Sequence, residues 1–263
     1  MERQRFVRKN NAIFDAQRRN EKKRTRRIVF YVALFLSISL IFLGVCIAVF
    51  LNVETVNVNG TEKYVPEQIL EYVPIELGDN IYSFDSDEIE ASLKQNLPYI
   101  GNVEIERDLP TSVNINIVEE KPFYAAMLAG ETYLLSSDLK VLEKQKDVTP
   151  EQLGLTSLSL NNVRRCIVGQ NLEFIDERTE VALDELYDSF VNHYIEDNIK
   201  SVDVRSRFDI YINYDGRFEI YLGNTENIEI KISFLVKIID ELKPTDRGTI
   251  NLSNYREAAV ALS

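Results

Sequence analysis

Ile28 to Leu51 is a run of 24 residues without one charged side chain. As a helix it would reach about 36 Å, against a bilayer hydrocarbon core of roughly 30 Å. The run therefore predicts a membrane span with some tilt. Lys22, Lys23, Arg24, Arg26 and Arg27 stand directly before it. A local Lys/Arg excess stays on the cytoplasmic side, so the N-terminus is expected inside and the C-terminus outside. Three other readings compete. A cleaved signal peptide has an apolar region of about 7–15 residues and a small-x-small cleavage site; this run is longer and shows no clear site. Lipid attachment at Cys46 would need a lipobox, which Leu43, Gly44 and Val45 only half resemble. A buried core helix would tolerate fewer uncharged residues in a row.

The net formal charge of −12 hides an asymmetry. Residues 1–27 hold eleven Lys/Arg and three Asp/Glu, so this tail carries +8 and the rest of the chain −20. The simplest role for such a tail is to orient the chain and touch anionic lipid of the cytoplasmic membrane. No recognition fold accompanies the charge, so nucleic acid is not expected as a partner. Of the two cysteines, Cys46 lies in the span and Cys166 is alone outside. An intramolecular disulfide is not expected, and the outer region must be held by its core.

Outside the span, Val53–Asn59 alternates as a strand and Asn59-Gly60 ends it in a turn. Asn59-Gly60-Thr61 also matches a glycosylation acceptor, which the turn chemistry makes unnecessary. Pro66 opens a short helix to Tyr72. A second helix runs from Ser86 or Asp87 to Leu97, capped by Asp85 or Ser86, with Ile89, Leu93 and Leu97 on one face. Strands follow at Val103–Arg107 and Ser112–Glu119, the latter with Val113, Ile115 and Ile117 inward. The order is β-α-α-β-β. From Pro122 the pattern changes. Tyr133–Leu135 and Leu139–Leu142 read as a hairpin, and Leu158–Leu160 as a strand. Thr179–Tyr194 reads as a helix with Leu183, Leu186, Phe190 and Tyr194 on one stripe. Val202–Val204 is a strand, and Ile210–Tyr214 and Arg217–Leu222 flank Asp215-Gly216, a strong hairpin signal. Ile228–Leu242 has helical spacing, and Thr249–Leu252 is a last strand before a polar C-terminus.

Three features in this order resemble the FtsQ/DivIB family of bacterial cell-division proteins. They are VETVNVNG with the two-helix segment after it, LPTSVNINIVEEKP at Leu109–Pro122, and KISFLVKIIDELKPTDRGTINLS at Lys231–Ser253. The resemblance implies an α+β fold with a single N-terminal transmembrane helix. A POTRA-like β-α-α-β-β domain and a second, mixed antiparallel β domain with two helices would follow. The implied divisions are a cytoplasmic tail over 1–27, a span over 28–51, the POTRA-like domain over 52–121, the β domain over 122–253 and a C-terminal tail over 254–263. The implied function is a bitopic divisome scaffold. It would bind FtsL-like and FtsB/DivIC-like membrane proteins and help recruit and control septal peptidoglycan synthesis, in the cytoplasmic membrane at the division septum. The family's β domain carries the main partner contact near its C-terminal end. The matching segment here is Thr249–Leu252 and the residues to about Val260, with Thr249, Ile250, Asn251, Leu252 and Ser253 as the named contacts and Tyr255 as an aromatic anchor. A strand added last is often an open edge that a partner strand can extend; an interior strand completing the sheet is the alternative.

The residues also argue against catalysis. His193 is the one histidine and reads as part of the Thr179–Tyr194 helix. One outer cysteine and one histidine are too few for zinc, and no phosphate loop or nucleophile motif occurs. Asp85-Ser86-Asp87 begins like a calcium loop without its glycine and distal glutamate. Acid pairs such as Asp87/Glu88 and Glu119/Glu120 read as solvated faces. No catalytic residue, metal, cofactor or small-molecule substrate is therefore expected. The alternative function is an envelope enzyme or sensor with an outer ligand-binding domain. A sensor would need more than 27 basic residues inside. An outer-membrane assembly factor would repeat the POTRA-like unit, and one copy is seen.

The orientation has a direct test. A phosphatase reporter fused after Ser263 is expected to be active and one fused near Arg19 inactive; the reverse pattern overturns the topology.

Overall fold

The structure is a computed structural model that describes residue 26, residues 28–47 and residues 49–263. The basic tail expected over 1–27 lies outside the described residues except for Arg26. Helix α1, Ile28–Ile47, is the one helix among the described residues long and apolar enough to cross a membrane. Its apolar side chains are exposed on all sides. A helix can present such a surface to lipid because its backbone groups bond within the segment.

The described chain forms two compact units. The first takes the chain up to residue 57 together with residues 75–84 and 106–114. Here the segment leaving α1 is tied down by backbone bonds, Val53 N–H to the Asp79 carbonyl at 2.7 Å and Ile81 N–H to the Leu51 carbonyl at 2.8 Å. Val53, Ile81 and Val113 are its buried apolar residues.

The second unit holds residues 58–74, 85–105 and 115–263. The expected β-α-α-β-β order is present as β1 (Thr55–Asn59), α2 (Pro66–Leu70), α3 (Ser86–Asn96), β2 (Ile100–Asp108) and β3 (Ser112–Glu119), with sheet order β1-β3-β2. Pro66 takes the first turn of α2, where its missing N–H has no helical partner to lose. Asp85 caps α3 by accepting the Asp87 N–H at 3.0 Å. Ile69, Ile89, Leu93, Ile100, Ile115 and Ile117 are buried, which fits the alternation read in β3. Gly60 has φ +82°, and a Cβ there would run into the Ile117 carbonyl oxygen.

Next to it, Glu119 corrects the reading of Glu119/Glu120 as a solvated pair. One oxygen of Glu119 accepts Thr61 Oγ1–H at 2.6 Å, Lys63 N–H at 2.9 Å and Glu62 N–H at 3.0 Å. Partial burial raises its pKa, and the bonds from Thr61, Lys63 and Glu62 outweigh this, so the carboxyl sits below its ordinary value.

The remaining strands are β4 (Tyr124–Leu128), β5 (Glu131–Leu135), β6 (Val141–Gln145), β7 (Thr156–Leu160), β8 (Val163–Arg165), β9 (Glu173–Phe174), β10 (Ile199–Val204), β11 (Ile210–Tyr214), β12 (Phe218–Gly223), β13 (Gly248–Asn251) and β14 (Ala259–Leu262), with helices α4 (Arg178–Asn192) and α5 (Ile228–Glu241). Nine of them form one sheet in the order β14-β13-β12-β11-β10-β7-β4-β5-β6, while β8 and β9 pair separately. The core joins Leu183, Leu186 and Phe190 of α4 and Ile228, Ile232 and Leu235 of α5 to Val202, Ile212 and Ile220 of the sheet. The opposite face carries Ser201, Asp203, Asn213, Glu219 and Thr249, none of them buried. One covered face and one wetted face produce the alternation seen in these strands. The expected hairpin at Asp215-Gly216 is present, with Tyr214 opposite Phe218 and φ of +55° and +67° at the two turn residues. Both angles are positive, as the tight hairpin turn favoured by the strand twist requires.

Three expectations are corrected. α4 ends at Asn192, so His193 caps it rather than lying within it. Tyr194 follows with φ +57° and is 88% exposed, off the buried stripe, because the left-handed residue breaks the helical period. The polar tail expected over 254–263 contains a strand, β14, at Ala259–Leu262.

Removing the Glu119 carboxylate (Glu119→Ala) is expected to cost about 1–3 kcal/mol at neutral pH, since several backbone donors lose a charged acceptor. Its folded pKa is depressed, so the contribution is full above the unfolded glutamate pKa and fades as pH falls through the folded value. Urea denaturation of residues 53–263 at neutral and acid pH checks this; a cost independent of pH overturns it.

Candidate partner-binding site

α5 returns the chain across the sheet to lay β13 beside β12. The two strands run parallel, Glu219 opposite Thr249 and Ile220 opposite Ile250. Ile250 and Leu252 are buried among the core residues. The Leu252 N–H donates to the Tyr221 carbonyl at 2.8 Å. Thr249 and Asn251 lie on the wetted face and are exposed. The Asn251 side-chain oxygen accepts the Ser253 N–H at 3.0 Å and the Ser253 hydroxyl at 2.8 Å, which ends the strand in a local turn. Tyr255 is half-buried, and the Arg256 Nε–H donates to its hydroxyl at 3.0 Å.

The chain then turns back, and β14 pairs antiparallel with β13, Thr249 opposite Ala261 and Ile250 opposite Val260. β13 is therefore an interior strand, which corrects the reading of Thr249–Leu252 as an open edge. The outer edge belongs to β14. Gly248 makes room for it, since a Cβ there would run into the Ala261 carbonyl oxygen. The Ser263 N–H donates to the Arg247 carbonyl at 2.9 Å. Inward bonding alternates along an antiparallel strand, so Ala261 and Ala259 also bond inward. Val260 and Leu262 then direct their N–H and C=O groups outward. Their side chains share the face of Ile250, yet they are 42% and 55% exposed. The structure thus brings Thr249 to Ser253 together as the support of an open, apolar-edged strand that the sequence reading missed. Ala258-Ala259-Val260-Ala261-Leu262 was its one signal, five apolar residues in a tail otherwise read as polar.

Polar groups at this end of the sheet are hydrogen-bonded locally. Lys231 of α5 is buried, and its Nζ donates to the Leu222 and Asn224 carbonyls at 2.8 Å each. Burial pushes its pKa down. The Tyr221 hydroxyl donates to Asp209 at 3.0 Å, and that bond pushes its pKa up. Elsewhere, Cys166 is half-buried and burial pushes its thiol up to about 11, which disfavours the thiolate. His193 Nδ1 lies 2.9 Å from the Ser189 carbonyl and 3.6 Å from Glu229. Among the described residues no group of three His, Cys, Asp or Glu is placed to hold a metal ion.

Comparison with known proteins gives the geometry a context. The family model for the FtsQ-type POTRA domain matches residues 51–120. Cell division protein DivIB of Clostridium botulinum (strain Hall) is 26% identical over 235 residues, covering 88% of this chain and 90% of that protein. DivIB of Clostridium acetobutylicum is 26% identical over 215 residues, covering 78% and 80%. Cell division protein FtsQ of Streptomyces coelicolor is 34% identical over 71 residues, 27% of each chain.

Filling the space at Gly248 tests the edge. Gly248→Val is expected to push β14 off while β12 and β13 stay paired. In hydrogen exchange, the Thr249 and Asn251 amides should then exchange freely and the Ile250 and Leu252 amides stay protected. Loss of protection at all four would mean that β13 and β14 dock as one piece.

Proposed function

Because this chain belongs to the FtsQ/DivIB family of cell-division proteins, we propose that it is a bitopic divisome scaffold that works by binding and not by catalysis. It carries a role in cell division. Its partners are FtsL-like and FtsB/DivIC-like membrane proteins, and the assembly recruits and controls septal peptidoglycan synthesis. The N-terminal tail lies in the cytoplasm against membrane lipid. The outer region, divided into a domain over 52–121 and another over 122–253, lies outside at the septum.

The observation that supports this reading is the free outer edge of β14, with Val260 and Leu262 exposed beside it. An extended partner segment can add there as a further strand. Main-chain hydrogen bonds then supply affinity, and alternate side chains resting on Val260 and Leu262 supply specificity. Thr249 to Ser253 hold the edge in place, and Tyr255 flanks the turn that leads to it. No specific observation favours an envelope enzyme or ligand sensor.

A fluorescent fusion is expected to form a ring at midcell in dividing cells; even membrane staining speaks against the reading. Val260→Pro removes an outward N–H and no inward one. It is expected to weaken capture of the FtsL- and DivIC-like partners by about tenfold or more, with an unchanged circular dichroism spectrum. Undiminished capture moves the contact off this edge.

A further inference from the structure

The first compact unit gathers the chain around α1 with residues 75–84 and 106–114, and its bonds reach down onto the span. Besides the bonds from Val53 and Ile81, the Gly78 N–H donates to the Val53 carbonyl at 2.8 Å. Asn80 goes further, its side-chain amide donating to the Ile47 carbonyl at 3.0 Å. The uncharged run continues to Leu51, and as a helix its length exceeds the hydrocarbon thickness by several ångströms. Ile47 and residues 49–51 therefore lie at the hydrocarbon boundary or among the headgroups. Whatever is bonded to them lies at nearly the same depth.

The side chains held there are apolar and turned outward. Tyr82 is 57% exposed and Leu77 72% exposed. Arg107 braces their loop, donating from Nε to the Ile81 carbonyl at 2.9 Å and from Nη2 to the Phe84 carbonyl at 3.1 Å. Its guanidinium lies 4.5 Å from the Phe84 ring centre and 5.9 Å from that of Tyr82. A third apolar residue, Leu109, is 53% exposed at the β2–β3 turn. Thr55 bonds Ser112 and Asn57 bonds Asn114, so β1 and β3 run parallel in register. The turn before Ser112 therefore sits at the end of the sheet where the chain arrives from α1. The Glu54 N–H bonds the Thr111 carbonyl at 2.7 Å, two residues from Leu109.

We propose that Leu77, Tyr82 and Leu109 are seated in the interfacial zone of the bilayer that α1 crosses, a second membrane contact that fixes the attitude of the first unit on the surface. The occupant of this surface is the lipid bilayer itself. Tyrosine suits that depth because its ring is apolar and its hydroxyl reaches water. The contact is not electrostatic, because the same segments carry Glu76, Asp79, Glu106 and Asp108. Asp79 turns its carboxylate back to the Glu76 N–H at 3.0 Å. Anionic lipid is therefore not required. The inference rests on the reading of α1 as a membrane span.

The chain contains no tryptophan, so one introduced indole reports without background. Full-length Leu77→Trp, Tyr82→Trp and Leu109→Trp are reconstituted in phosphatidylcholine vesicles containing lipid brominated on its acyl chains. Phe42→Trp in the span and N-acetyltryptophanamide free in solution serve as references. Bromolipid is expected to quench all three test variants at least half as strongly as Phe42→Trp and to leave the free indole unquenched, with no change when anionic lipid is added. The proposal is overturned if Phe42→Trp is quenched while the three variants behave like the free indole. Failure to quench Phe42→Trp as well would remove the span, and the proposal with it, which separates the two failures.

Discussion

Backbone pairing is the constraint on which the rest of this structure depends. An N–H or C=O removed from water without a partner costs free energy comparable to a lost hydrogen bond. α1 answers that cost within a single segment, and its length and apolar surface let it, alone among the described helices, face lipid. The chain leaving α1 answers it by bonding to residues 78–81, so the exit from the span is tied down at once. The nine-stranded sheet answers it strand by strand, which leaves β14 and β6 as its two edge strands.

That ordering contains three parallel neighbours, β7 on β4 and two more that are joined through a helix. α4 lies in the connection that sets β10 parallel to β7, and α5 sets β13 parallel to β12. Parallel neighbours need a long connection, and a helix is the usual one. Both helices pack on the same face, so the other face stays wet and polar. β13 is thereby held from both sides, and the open edge moves outward by one strand. Gly248 is the residue that lets β14 come close enough to take it.

The polar side chains of the molecule mostly serve this backbone scheme. Glu119 gathers the donors of the 61–63 loop, buried Lys231 answers the carbonyls at the end of β12, and Asn80 answers a carbonyl at the end of α1. Each is a charged or amide group spent on main chain. Tyr99 and Lys63 differ, meeting side chain to side chain on Glu143 at 2.8 and 3.2 Å within the second unit. Burial and the bond between Tyr99 and Glu143 explain the raised Tyr99 pKa, and the same bond the lowered Glu143 pKa, without requiring a reaction.

Local pattern was enough for much of this chain. The uncharged run, the proline opening α2, the Asp85 cap, the alternation of β3 and the Asp215-Gly216 turn each rest on interactions between near neighbours, and each was readable in order. Four features were not. β4 begins Tyr124-Ala125-Ala126 with all three residues buried, and an interior strand flanked by β5 and β7 shows no alternation to read. Tyr194 fits the helical period of α4, and only the left-handed turn after His193 throws it outward. The acids of Glu119 and Glu120 look alike in sequence, and only the approach of the 61–63 loop tells them apart. The sheet edge is the fourth. The sequence by itself determined that a short strand, Thr249–Leu252, follows the helix at Ile228–Leu242. Which strand is left open was decided only when β14 folded back onto β13. Edge and interior differ by a hydrogen-bonded neighbour supplied from elsewhere in the chain, and no residue's own chemistry records that neighbour.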